Sequence, residues 1–365
     1  MSEEESNDFA TAAAATPSGG VALVTTLRVF AREPSTDAFV ELWDLAGNLQ
    51  WSQVYAGANQ LADFGLDVAV DDGGDVYMLV RETKAVFPQS KTVLTQAPLV
   101  VLRYDTTGER VWRWERPPPT GAEFYGPDGQ IEIVDDRVVV LEHDYQRQTM
   151  LFELDRMGNF VSEVELVEDP EKDVQMRDLA DNGDVAFAGY VADYSALWAT
   201  RFDRGGALAW SRTFGSAGDR ALAVLAGPSG ETYVAWGTDM PDALASVYLQ
   251  RLEEDGTEAW TEQLPATHPY TQDLAGDVAD DGTVLLTGRY SSIVNNPPYA
   301  MQPLWVARYG PTGCSAWVLE HEFPEPSHDG QGERVVAAPE GAAFVLATFT
   351  GYGNAPWPWL GRIAE

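Results

Sequence analysis

The chain has 365 residues, 45% of them hydrophobic, and a formal net charge of −34 from 23 basic and 57 acidic side chains. So acidic a surface repels phosphate, which argues against nucleic acid and anionic membranes as partners. No stretch is long and apolar enough to cross a bilayer as a helix, so direct membrane insertion is not expected. A single cysteine, Cys314, leaves no internal disulfide. It follows a turn at the start of a strand and is expected to be partly buried and inert. Only Lys84, Lys91 and Lys172 are lysine. Acid excess with scarce lysine fits a salt-adapted surface.

Residues 1–7 are acidic and too short for a strand with its loop, so they are expected to be a flexible tail before a single domain over 8–365. Met1-Ser-Glu-Glu-Glu-Ser contains no recognisable signal peptide and reads either as a start added for expression or as a trimmed mature start. Residues 8–26, DFATAAAATPSGGVALVTT, resemble a helix-forming alanine tract by propensity. Their register nevertheless matches 219–237, DRALAVLAGPSGETYVAWG, with Asp8 on Asp219 and Pro17–Gly19 on Pro228–Gly230. Residues 9–15 are therefore read as the first strand of a first repeat.

The repeat is clearest at 196–238, ALWATRFDRGGALAWSRTFGSAGDRALAVLAGPSGETYVAWGT. It alternates apolar and polar residues in short runs, and these predict strands. Glycine-bearing turns separate the runs. A D-x-x-G turn recurs at Asp44–Gly47, Asp105–Gly108, Asp155–Gly158 and Asp203–Gly206, and becomes Glu253–Gly256 and Gly310–Gly313 later. Four residues after each turn glycine stands Trp51, Trp112, Trp210, Trp260 or Trp317, with Ser162 in the third copy. These tryptophans are expected to be largely buried between neighbouring sheets. A spacing of about 50–60 residues places the chain among repeat folds that close on a ring.

Seven second (B) strands are predicted near 21–27, 75–80, 137–142, 184–190, 231–236, 283–288 and 342–348. Seven third (C) strands follow, but only six outer (D) strands. The expected fold is all-β, a seven-bladed β-propeller of four-stranded antiparallel blades with a three-stranded last blade. Small residues such as Ala69, Ala180 and Ala275 mark the first (A) strand of each unit as the crowded inner one.

The run Trp210…Gly215…Asp219-Arg-Ala221, followed by Gly230-Glu-Thr-Tyr233-Val-Ala, resembles the bacterial seven-bladed β-propeller repeat family. It is also similar to quinoprotein-type tryptophan-docking propellers. The resemblance covers nearly the whole chain and is sharpest over 196–260. It implies the fold and an exported protein: secreted, periplasmic or surface-anchored, as a lipoprotein is, through a removed leader. It implies neither an enzyme nor a quinone cofactor.

Loop lengths distinguish the two ends of each blade. A–B and C–D links are tight turns. B–C links (81–98, 237–245, 289–302) and D–A links (116–128, 264–271, 322–331) are long and variable, and both sets emerge at one end. Long loops on a rigid scaffold are where binding residues concentrate. Arg81, His143, Tyr190, Asp219, Arg289, Tyr290 and Tyr352 are the candidate ligand-binding residues, with Asp63, Asp144, Tyr145, His268, Tyr270, His328 and Asp329 nearby. An arginine among so many acids can pair with a ligand carboxylate.

No P-loop, G-x-S-x-G, H-E-x-x-H or C-x-x-C is present. No catalytic residues and no metal ligands are therefore assigned. Asp71–Asp75, Asp181–Asp184 and Asp280–Gly282 faintly resemble calcium loops, but they fall on A–B turns where Asp, Asn and Gly belong anyway, and the twelve-residue ligand pattern is missing. No cofactor is expected, calcium being the one candidate. Three of the four histidines, His143, His268 and His328, lie at the loop end, and His321 lies in a D strand. The expected function is non-enzymatic binding of a protein or small-molecule ligand by a monomer. The alternative is a hydrolase or lyase with a carboxylate, histidine or divalent-cation site at the loop end.

Overall fold

The computed structural model describes residues 6–29, 36–57, 63–86, 94–116, 128–143, 149–167, 169, 171–191, 193–238, 246–264, 271–290, 304–321, 328–351 and 357–363. Blade one is β1 (Ser6–Ala15), β2 (Val21–Val29), β3 (Thr36–Trp43) and β4 (Leu49–Tyr55). In the second repeat, β5 (Asp63–Val70) and β6 (Val76–Glu82) are followed by a small ribbon of β7 (Lys84–Val86) and β8 (Leu94–Gln96). Blade two is then completed by β9 (Leu99–Tyr104) and β10 (Arg110–Arg116). Blade three is β11 (Asp128–Val134), β12 (Arg137–His143), β13 (Thr149–Asp155) and β14 (Phe160–Leu166).

Blade four is β15 (Lys172–Leu179), β16 (Val185–Val191), β17 (Leu197–Phe202) and β18 (Leu208–Phe214). Blade five is β19 (Asp219–Ala226), β20 (Thr232–Thr238), β21 (Val247–Leu252) and β22 (Glu258–Gln263). Blade six is β23 (Thr271–Val278), β24 (Val284–Tyr290), β25 (Leu304–Tyr309) and β26 (Ser315–His321). Blade seven has β27 (His328–Ala337), β28 (Ala343–Gly351) and β29 (Trp357–Ile363), with one 3₁₀ turn at Pro339–Gly341.

Six sheets are four-stranded and the last is three-stranded, each in sequential order and antiparallel. This is the seven-bladed β-propeller read from the repeat. The chain divides into two compact units. The first holds blades one to three, and the second holds blades four to six and blade seven except Ala338–Glu340 and the start of β29, Trp357 and Pro358. Within each unit the first strands of successive blades are neighbours, β1 beside β5 beside β11, and β15 beside β19 beside β23 beside β27. β1 starts at Ser6, so Ser6 and Asn7 lie in the strand rather than in the tail expected over 1–7.

The turn chemistry follows from the D-x-x-G pattern. Gly47, Gly108, Gly158, Gly206, Gly256 and Gly313 all have positive φ, between 76° and 86°, where a Cβ would be strained. Asp44 Oδ1 accepts the N–H groups of Ala46 at 2.9 Å and Asn48 at 2.8 Å, and Asp105 and Asp155 repeat this with their own turns. All three carboxyls are held below the usual range, Asp105 first by the Thr107 hydroxyl, Asp155 first by the Asn159 side-chain amide and Asp44 first by the Asn48 N–H, with the other turn N–H groups adding. The aspartate is therefore a turn cap.

The tryptophan recurs because of that glycine. A Cβ on Gly108, Gly158, Gly256 or Gly313 would sit 2.8–2.9 Å from Trp51, Trp112, Trp210 or Trp260, each on the preceding blade. Three of these indoles donate to the same turns: Trp51 to Thr106 O (3.2 Å), Trp112 to Arg156 O (3.0 Å) and Trp260 to Pro311 O (2.9 Å). Only Trp210 is fully buried; Trp51, Trp112, Trp260 and Trp317 are half-buried, because the D strand is the outermost strand and one ring face meets water. Trp317 precedes a three-stranded blade and packs instead with Trp359 and Ile363 against the cluster around Leu304 and Val345. Cys314 is exposed, contrary to expectation. It lies between the Gly310–Gly313 turn and the outer strand β26, where its side chain meets water.

Candidate functional site at the loop end of the blades

The described candidates stand where A strands begin and B strands end. Arg81 lies over the ring of Phe64, 4.7 Å from its centroid, and the two are direct cross-strand partners. His143 Nδ1 is 2.8 Å from Thr149 Oγ1, its partner on β13. Tyr190 packs on Tyr194, with ring centroids 5.3 Å apart. Asp219 Oδ2 accepts the Ser216 N–H at 2.6 Å. Arg289 and Tyr290 end β24, as His328 and Asp329 open β27; the side chains of these four lie outside the described residues. Tyr352, Asp144, Tyr145, His268 and Tyr270 lie outside them altogether.

In the first unit, a buried polar cluster forms around Asp63 and includes residues that sequence reasoning missed. Glu82 ends β6 at 2% exposure and accepts from the hydroxyl of Tyr55, which ends β4. Arg113 reaches both, with Nε 3.2 Å from the Tyr55 hydroxyl and an ion pair to Glu82. Asp63, 1% exposed, accepts the N–H groups of Gly57 and Thr83. Burial pushes the Asp63 carboxyl up to about 6, against the lowering effect of its two N–H donors, with the Glu82 charge adding to the rise. Burial, then the Glu82 contact, also raises the Tyr55 hydroxyl. Gly57 is fixed by this cluster, since a Cβ there would meet Asp63 and Glu82 at 2.8–2.9 Å. A glutamate closing the apolar run VYMLVRE was the visible signal. RVVVLEH repeats it, and there Glu142 is paired with Arg116.

In the second unit, Tyr190 and Asp219 belong to adjacent blades whose facing sides share one apolar cluster, built on Ala186, Ala188 and Leu197 of blade four and Ala221 and Val234 of blade five. Register places Asp173, Tyr190, Leu197 and Phe214 in one cross-strand row of blade four. Ala221, Trp236 and Tyr248 form the corresponding row of blade five, with Asp219 and Thr238 one step further out. Direct cross-strand partners point to the same side of a sheet. Phe214 meets Trp236 edge-on at 6.4 Å, and Trp236 stacks on Tyr248 at 4.5 Å. The Tyr194 ring is 62% exposed, on a backbone with φ of 55°.

At the tight-turn end of the second unit, Asp181, Asp277 and Asp280 repel one another. Crowding by surrounding protein raises the Asp181 carboxyl and the charges of Asp277 and Asp280 add to this, but the residue is exposed, so water screens much of the effect. Burial raises Asp277 as well, while it accepts the Ala337 and Val278 N–H groups. Asp67 and Asp178 likewise accept an N–H from the next blade's first strand, Ile131 and Ala226, so these carboxylates stitch inner strands together. Asp71 caps its own turn and binds Tyr77 and Arg156. Among the described residues, no group of three or more His, Cys, Asp or Glu side chains is arranged to hold a metal ion.

No protein-family model matches the chain, and no curated protein matches it in sequence. Solved structures do. A protein of unknown function from Dyadobacter fermentans aligns with 14% identity and a TM-score of 0.51, over 88% of this chain and 96% of that one. A polysaccharide lyase of the PL25 ulvan lyase family aligns with 10% identity and a TM-score of 0.56, over 98% and 94%. A prolyl endopeptidase aligns with 12% identity and a TM-score of 0.52 over 94% of this chain; the chain spans only 47% of that protein's length. At these identities the likeness shows the fold alone: the chain is similar to β-propellers of unlike function.

Proposed function

We propose that the chain is a binding propeller, related to the bacterial seven-bladed repeat and tryptophan-docking kinds, that recognises a protein or small-molecule ligand from the loop end of its blades. It acts as an exported monomer without a catalytic centre, and Arg81, His143, Tyr190, Asp219, Arg289, Tyr290 and Tyr352 serve recognition. One observation carries this reading. Each candidate whose side chain is described is supported by a neighbour: Arg81 by Phe64, His143 by Thr149, Tyr190 by Tyr194 and Asp219 by Ser216. Rigid, separately supported side chains suit recognition. Peptide and glycan arrays probed with the full chain test it: a hit weakened by Arg81→Ala or Tyr190→Ala without any product formed supports the reading. A hit unaffected by every loop-end substitution overturns it.

A second reading is favoured by the Tyr55–Glu82–Arg113–Asp63 cluster, where a carboxyl pushed up to about 6 lies within the range useful for proton transfer. One structural neighbour is an ulvan lyase. Lyase action would release unsaturated uronate, visible by ultraviolet absorbance when the chain is incubated with ulvan and other polyuronates. Turnover lost in Glu82→Gln would establish this reading, and no turnover on any of them leaves the binding reading standing.

A further inference from the structure

We propose that the adjoining loop-end edges of blades four and five recognise a cationic side chain, an alkylammonium or guanidinium group carried on a basic peptide segment. This rests on the binding reading above and names its ligand class.

Tyr194 supplies the first argument. A non-glycine residue at φ of 55° pays a conformational cost, and its ring, 62% exposed, recovers little of it by burial. The turn is nonetheless tightly made. Tyr194 N–H donates to Val191 O at 2.7 Å, Val191 N–H to Ala196 O at 3.1 Å, and Ser195 N–H to Asp193 Oδ1 at 3.0 Å. The backbone holds this ring out beside Tyr190 instead of folding it in.

The second argument is the chemistry around it. Tyr190 from blade four and Trp236 from blade five pack against one shared apolar cluster, Tyr194 packs on Tyr190 and Tyr248 stacks on Trp236, and all four residues are half-buried or exposed. Asp173 pairs with Tyr190 on the same side of its sheet, Asp219 stands one step beyond Trp236, and Asp193 adjoins Tyr194. Ring faces bordered by carboxylates attract cations through both the ring quadrupole and charge. The chain makes such pairs elsewhere within itself: Lys172 Nζ lies 5.3 Å from the Trp198 ring, and Arg81 lies over Phe64. Among the described residues, no basic side chain lies over Tyr190, Tyr194, Trp236 or Tyr248. A net charge of −34 draws in a basic segment and repels an acidic one.

The test uses the full chain, hexalysine and hexaarginine as probes, and calorimetry with tryptophan fluorescence as readouts. Tyr194→Gly is the informative variant, because it removes the ring, leaves net charge unchanged and relieves the positive φ, so its melting temperature should not fall. Binding about tenfold weaker in Tyr194→Gly, the share of one ring–cation contact, is the expected result. Equal binding by wild type and variant would mean general attraction to an acid surface and would overturn the inference. No binding of either probe would do the same. If a neutral oligosaccharide binds instead and Tyr194→Gly weakens it, the cationic class fails while loop-end recognition survives. If array hits ignore Tyr194 and every other loop-end residue, both fall.

Discussion

A tryptophan laid on a turn glycine of the next blade is the smallest device joining these repeats. Trp210 is the most buried case, at 7% exposure, and Gly256 beneath it has φ of 76°. Trp210→Ala should cost about 3–5 kcal/mol through lost burial and a cavity. Gly256→Ala should cost about 2–3 kcal/mol, from the left-handed backbone and a Cβ driven against the indole. Since both remove one contact, urea unfolding of the double variant should show less than the sum; strict additivity would mean that the pair does not interact. Asp63 gives a pH signature. Its folded carboxyl titrates at about 6 against 3.8 for an ordinary aspartate, so the fold carries the cost of its charge above pH 6. That cost is relieved as pH falls from 6 towards 3.8, a gain of at most about 3 kcal/mol. Wild type should therefore gain stability relative to Asp63→Asn between pH 7.5 and 5, with Asp181, present in both, cancelling. A difference independent of pH would mean that Asp63 titrates normally.

At the scale of strands, β29 is the anomaly. It occupies the third place in its sheet, yet β3, β9, β13, β17, β21 and β25 each have two neighbours and β29 has one among the described residues. Its outward N–H groups should exchange hydrogen as fast as those of an outer strand, and faster than β21, which shares its place in blade five. Protection equal to that of β21 would show the edge to be covered. The three-stranded last sheet was legible because D-x-x-G turns and tryptophans are local signals that repeat, and the sequence shows no such pair after Trp357–Ile363. The ribbon of β7 and β8 was not legible, because a single insertion has no repeat to be read against. The site was legible only as an end of the blades. Tyr190 and Asp219 could be placed by their positions on strands, but the apolar cluster that their two blades share depends on packing between blades. Glu82 was missed because its partners, Tyr55 and Arg113, are 27 and 31 residues away, and only sheet register brings them together.

For the molecule as a whole, charge sets the conditions under which it is stable. The 57 acids outnumber the 23 bases, and the well-formed ion pairs use arginine in sheltered positions: Arg201 with Asp184, Arg103 with Asp75, Arg156 with Asp71. The surplus carboxylates face water and repel one another. Salt acts unequally on these two populations. The screening length falls from about 10 Å at 0.1 M to about 3 Å at 1 M, which quenches exposed repulsion but hardly reaches a pair such as Arg201–Asp184, whose guanidinium is buried. Sodium chloride should therefore raise the melting temperature, by a few degrees for a gain on the order of 1–3 kcal/mol. Sodium sulfate would add surface exclusion to screening, so the chloride series is the cleaner measurement. A melting temperature that falls steadily with sodium chloride would mean that exposed ion pairs, not surplus carboxylates, dominate the electrostatics of the fold.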